Sequence, residues 1–150
     1  MNKPSTKQEW HKQEAIDNFN ETWELIDTSD RSAEETLSMI HRAHASRYHW
    51  EQVGTPLELA RGEWQISRVY SLINFGKSAL HHAMASLQYC LDNDYGDFDL
   101  AFAYEAVARA QKILGNTTEF KKYFSLAEQA ADKISTKDNK EYFLSELKTI

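Results

Sequence analysis

The stretch HRAHASRYHW, residues 41–50, holds half of the six histidines and the densest run of side chains able to ligate, stack or move a proton. On a helix each residue advances by about 100°. With Ala33, Leu37 and Ile40 taken as the apolar face, His44 points almost along that face and Arg47 lies beside it. His41 and Tyr48 fall together on one flank, and His49 projects to the other side. The spacing therefore predicts that His41, His44 and Tyr48 converge. Neutral imidazole is a common metal and small-ligand donor, so one reading is a ligand or zinc site completed by an acid of the first helix, Asp17 or Glu21. The competing reading is that His44 and Arg47 are buried polar groups, hydrogen-bonded to neighbouring helices. No HExxH motif is present, and no second cluster has fixed metal spacing.

Three further candidates carry less. His81 and His82 are adjacent, so on a helix their side chains diverge by about 100° and do not form a ligand pair. Asp97 and Asp99 invite a metal reading, but acids at a helix start cap backbone N–H groups and favour the helix dipole. Cys90 has no histidine placed near it by sequence and reads as a small core residue, and Met39 is explained as core. No motif calls for a cofactor, and no catalytic motif rises above background.

The elements that position these residues are helices. Valine occurs only at 53, 69 and 107, with 2 prolines and 5 glycines, whereas Ala, Leu, Glu and Lys abound. That balance favours helix over strand. Seven helices are expected. The first runs from Lys7 to Ile26 behind a Thr6/Glu9 capping box. The second runs from Ser32, paired with Glu35, to about Gln52. Thr55 caps the third, Leu57 to Ile73, with Pro56 at its first position and Glu58 at its third. The fourth spans Lys77 to Leu91. Asp97 or Asp99 caps the fifth, which ends at Leu114-Gly115-Asn116. Asn116 with Glu119 opens the sixth, and Asp138 with Glu141 opens the seventh. Short connections make consecutive helices antiparallel.

With 150 residues, 41% hydrophobic and 12% aromatic content, the chain is expected to be one folded domain, residues 1–150, with a sizeable core. A net charge of −6 argues against nucleic-acid binding. No segment has the length and apolarity of a membrane span or a signal peptide, and the single cysteine suits a reducing compartment. These features point to a cytoplasmic protein.

Set over the fifth helix with an offset of 41 residues, the third helix matches it by residue class. Ala60 falls on Ala101, Ile66 on Val107, Ser67 on Ala108, Arg68 on Arg109 and Ile73 on Leu114. Asn74 falls on Gly115, two residues that tolerate the left-handed turn. The pattern in Tyr104, Val107, Ala108, Leu114, Gly115, Phe120 and Ala127 resembles the tetratricopeptide repeat. So, more loosely, does the set Ile66, Ser67, Tyr70, Ile73, Ala79, Ala83 and Ser86. The closing prolines are replaced by Leu91 and Asp132, and the period exceeds the usual 34 or so residues. The segments AHASRYHWEQVGTPLELARGEWQISRVY and GDFDLAFAYEAVARA are similar to a family of uncharacterised bacterial proteins with tetratricopeptide-like folds.

The resemblance implies an all-α, right-handed stack of antiparallel helix pairs at about 7–52, 57–91 and 98–134, with a capping helix at 138–150. In such a stack the first helix of each pair lines a concave groove. Here that groove would carry Arg61, Trp64, Arg68, Phe102, Glu105 and Arg109, suited to an extended peptide or an anionic group. The expected function is a non-enzymatic module binding a protein or peptide. A homodimer through the exposed ends of a short stack is compatible with it. The alternative is a ligand- or metal-binding protein, or a hydrolase, using His41, His44 and Tyr48.

Overall fold

A computed structural model describes residues 6–150, and among them the chain is all-α. The helices are α1 Lys7–Ile26, α2 Ala33–Val53, α3 Pro56–Leu72, α4 Gly76–Asp92, α5 Asp97–Ile113, α6 Thr117–Ala131 and α7 Lys137–Leu147.

The first three starts obey the capping signals. The Thr6 side chain accepts from Glu9 N. Ser32 with Glu35 and Thr55 with Glu58 each form both halves of a capping box, and Pro56 occupies the first turn of α3. The later starts differ from expectation. Neither Asp97 nor Asp99 caps α5: Gly96 is the N-cap and makes no side-chain cap bond. Asp97, at φ 54°, instead accepts from Ser135 N, and Asp99 turns to Arg61. Asn116 leaves α6 uncapped because its amide donates to Gln111 Oε1 at 2.7 Å. Thr136, not Asp138, caps α7 by accepting from Asn139 N. In each case a tertiary or more local partner outcompetes the bare helix end.

Packing is most extensive within α1–α2, α3–α4 and α5–α6. Serine hydroxyls register two of these pairs. Ser46 Oγ donates to the Ala15 carbonyl across α1–α2. Across α3–α4, Ser67 donates to Ala79 O and Ser86 to Ala60 O. Residues 60 and 67 of α3 meet 86 and 79 of α4, and residues 11 and 15 of α1 meet 49 and 46 of α2, so the paired helices are antiparallel. These bonds need close backbones, and the alanines at the contacts allow them: Ala15, Ala60 and Ala79 are at most 2% exposed. The turns after α3 and α5 match as the offset requires, with Asn74 at φ 61° and Gly115 at φ 77°.

α5 is the centre of the molecule. Its Ala101, Ala103, Ala106, Ala108 and Ala110 are all buried, and it packs against α3, α4, α6 and α7. Contacts from Arg61 to Asp99 and from Trp64 to Phe102 set α3 and α5 side by side and parallel. α7 joins the same layer through Phe102–Phe143 and Arg109–Glu146. Phe143, fully buried, anchors α7, a burial that stabilises by about 1.5–3 kcal/mol.

Candidate functional site

Between α1, α3, α4, α5 and α7 lies a cavity of about 170 Å³. α1 supplies Phe19 and Trp23, α3 supplies Trp64, α5 supplies Phe98 and Phe102, and α7 supplies Tyr142. These rings form a continuous wall. Trp23 and Trp64 sit 5.5 Å apart, Trp64 and Phe102 5.3 Å, and Phe98 and Phe102 4.7 Å. Tyr142 stacks on Phe98 at 6.4 Å. Ala60, Ser86 and Cys90 add small side chains to the lining.

Trp64 Nε1 is buried without a hydrogen-bond partner, whereas the Ser, Arg and Asp groups at the cavity are engaged. The Ser86 hydroxyl donates to Ala60 O. Arg61 and Asp99, which also border the cavity, form a bidentate pair, Nε to Oδ1 at 2.9 Å and Nη2 to Oδ2 at 3.1 Å. Burial, helped by the Asp99 charge, pushes the Cys90 thiol up to about 11, so it stays protonated near neutrality and is a poor nucleophile. The cavity can hold an apolar group; its lining offers no activated nucleophile.

The six groove residues expected from the repeat divide into two sets. Arg61, Trp64 and Phe102 border the cavity. Arg68, Glu105 and Arg109 form a buried ionic cluster. Glu105 is fully buried, with Arg109 Nη2 at 2.7 Å and Arg68 Nη2 at 3.8 Å from its Oε1. α7 closes over this cluster. Arg68 reaches Glu146 Oε1, and Arg109 donates to Glu146 O and to Thr149 Oγ1 at 2.7 Å. The stretch expected to face a peptide is thus occupied from within the chain.

The histidines also part company. His41 and Tyr48 are exposed, two turns apart along α2, and His44 turns inward to Tyr70, so the three do not converge. Asp17 and Glu21 do not join them either: Asp17 accepts from Gln13 and Glu21 pairs with Arg42. His44 Nε2 meets Tyr70 Oη at 2.9 Å, and its ring lies edge-on to His82. His82 Nδ1 contacts Glu63 Oε1 at 2.6 Å, while Arg47 Nε donates to Glu63 Oε2 at 2.8 Å. Arg47 crosses α3 at Gly62, where a Cβ would come within 3.0 Å of its Cδ.

Burial raises the Glu63 carboxyl, but the bond and charge of His82 and the charge of Arg47 outweigh it and leave the group below its usual range. Burial, reinforced by His82, pushes His44 down against the pull of Glu63. A carboxylate–imidazole pair such as Glu63–His82 can orient a base, yet none of Glu63, His82, His44 and Tyr70 lines the aromatic cavity.

Sequence reasoning missed three relationships. The adjacency of His81 and His82 hides the role of His82, whose partner Glu63 comes from another helix. His49 was left alone on its flank, and its partner is His11 of α1, Nδ1 to Nδ1 at 2.8 Å. Tyr142 gave no signal because α7 was read only as a cap. Among the described residues no three or more His, Cys, Asp or Glu side chains are grouped to hold a metal, and no helix is long and apolar enough to cross a membrane. Comparison with family models, with curated proteins and with solved structures finds no match.

Proposed function

We propose that this chain is a non-catalytic binding module with a tetratricopeptide-like stack, and that its ligand is a small apolar molecule held in the aromatic cavity. The observation that carries this reading is the cavity itself, about 170 Å³ walled by Trp23, Trp64, Phe98, Phe102 and Tyr142. Binding sites for small molecules are concave and mostly apolar. An apolar cavity of about 150 Å³ is enough to hold benzene. One aromatic ring, or a branched chain of similar bulk, is the size that fits. The occupation of Arg68 and Arg109 by α7 favours a compact ligand over an extended peptide.

The test is titration with toluene, ethylbenzene and cyclohexanol, read by tryptophan fluorescence and by thermal shift, in the wild type and in Ala60→Leu. Ala60 lines the cavity and is 2% exposed, so the larger side chain takes ligand space. A saturable response that Ala60→Leu abolishes, with its helical circular dichroism retained, supports the reading. No saturable response to any probe, or an equal response in the variant, overturns it.

A further inference from the structure

We infer that His11 and His49 form a divalent transition-metal site that ties α1 to α2. His11 is 7% exposed, and its Nδ1 lies 2.8 Å from Nδ1 of His49 on the antiparallel neighbour. The ring centroids are 5.1 Å apart, so the two nitrogens face each other almost in line. This is the geometry of an N–H···N bond, in which one Nδ1 carries the proton and the other accepts.

Metal–nitrogen bonds of about 2.0–2.1 Å at angles of about 90–110° place two cis nitrogens roughly 2.9–3.4 Å apart. The nitrogens need to separate by only a few tenths of an ångström, but each ring must also swing by roughly 35–45° so that both lone pairs aim at one ion off the N–N line. The bridging proton moves to Nε2 of its own ring, so both imidazoles stay neutral and bind through Nδ1. Among the described residues no third ligand is in place, so water completes the coordination. Glu14 follows His11 by about one helical turn, and its charge acts on His49. Imidazole donors with water suit Cu²⁺, Ni²⁺ and Zn²⁺, with Cu²⁺ the tightest by the Irving–Williams order.

The site has a built-in reporter. Trp10 lies 5.0 Å from His11 and 5.1 Å from His49, ring to ring, so bound Cu²⁺ quenches it. The experiment uses the full chain without an affinity tag, titrated with CuCl₂ and, separately, with NiCl₂ and ZnCl₂. One equivalent of Cu²⁺ is expected to quench saturably, with a raised melting temperature. His11→Gln and His49→Gln should each weaken binding at least about tenfold, since each removes half of the protein's donors. His41→Gln and His81→Gln, at exposed positions, should leave it unchanged. Should either variant of the pair misfold, electron paramagnetic resonance of the Cu²⁺-loaded wild type decides: hyperfine coupling to two imidazole nitrogens is expected. Coupling to one or none, or unchanged affinity in folded His11→Gln and His49→Gln, overturns the inference and leaves the pair as a hydrogen bond between helices.

Discussion

Arg68 and Arg109 converge on a single oxygen of Glu105, one from the neighbouring helix and one from a turn further along its own. They hold equivalent places in the two helices that the sequence aligns. Because Glu105 is fully buried, removing its cations leaves a charge without compensation. Breaking a buried pair costs about 3–5 kcal/mol. Arg109→Ala should therefore lower stability by about 3 kcal/mol, or roughly 6–12 °C in melting temperature for a chain of this size. Arg68→Ala, whose contact is longer, should cost less. Urea and thermal unfolding measure both. A change under about 0.5 kcal/mol in both variants would mean that the cluster contributes little to stability.

The same cluster shows what could be read from the chain. Helix starts at Thr6, Ser32 and Thr55 were legible because a cap and its partner lie within three residues. The matching turns at Asn74 and Gly115 were legible because few residues tolerate positive φ. The convergence of His41, His44 and Tyr48 failed because helical phase gives a direction around one axis only. It does not say which neighbour waits there, and Tyr70 and His82 arrive from α3 and α4. Asp97 was misread as a cap because its partner, Ser135 N, is brought up by the turn between α6 and α7. The cavity was invisible for a similar reason: its wall is assembled from rings on four helices, and Tyr142 comes from the helix read only as a cap.

His44 should make the fold acid-sensitive. Burial, then the neighbouring His82, lowers its affinity for protons, against Glu63, with His41 adding to the lowering. The unfolded chain binds that proton more readily, near pH 6.5. The stability His44 contributes is therefore complete above about pH 6.5 and is lost as pH falls from there towards the depressed folded value. His49 shares the sign. Glu63, held below the usual carboxylate range, loses its contribution in a lower window as it protonates. Unfolding free energies measured at intervals from pH 8 to pH 4 should fall through the upper window, and less steeply in His44→Gln. An unchanged slope in that variant would remove His44 from the account.

Cys90 offers an independent view of the cavity, since it borders the space and is 1% exposed. Its thiol is pushed up to about 11 from an ordinary 9.0. At pH 7.5 the thiolate is then roughly a hundredfold scarcer than in an ordinary cysteine, before access is considered. Labelling with a small disulfide reagent should be at least that much slower than in the urea-unfolded chain. It should accelerate with pH, and slow further when a ligand fills the cavity. Labelling at the unfolded rate would mean that the α4 face of the cavity is open.

Tyr142 and Phe143 are neighbours with opposite duties, and that contrast separates binding from folding. Phe143 is fully buried and packs edge-on against Phe102 at 4.9 Å. Its loss opens a core void, so Phe143→Ala should cost about 3–5 kcal/mol. Tyr142 is 47% exposed and forms one wall of the cavity through its stacking on Phe98. Tyr142→Ala should cost only about 1 kcal/mol, the worth of an aromatic contact beyond its area. It should nevertheless weaken capture of toluene several-fold, because the ligand then has water on that side. Thermal melts and the fluorescence titration, run on both variants, read the two quantities separately. If Tyr142→Ala lowers stability as much as Phe143→Ala, α7 is held by the pair together and Tyr142 is no movable wall. If it leaves the affinity for toluene unchanged, the ligand sits deeper, against Trp64 and Phe102, and α7 serves the fold alone.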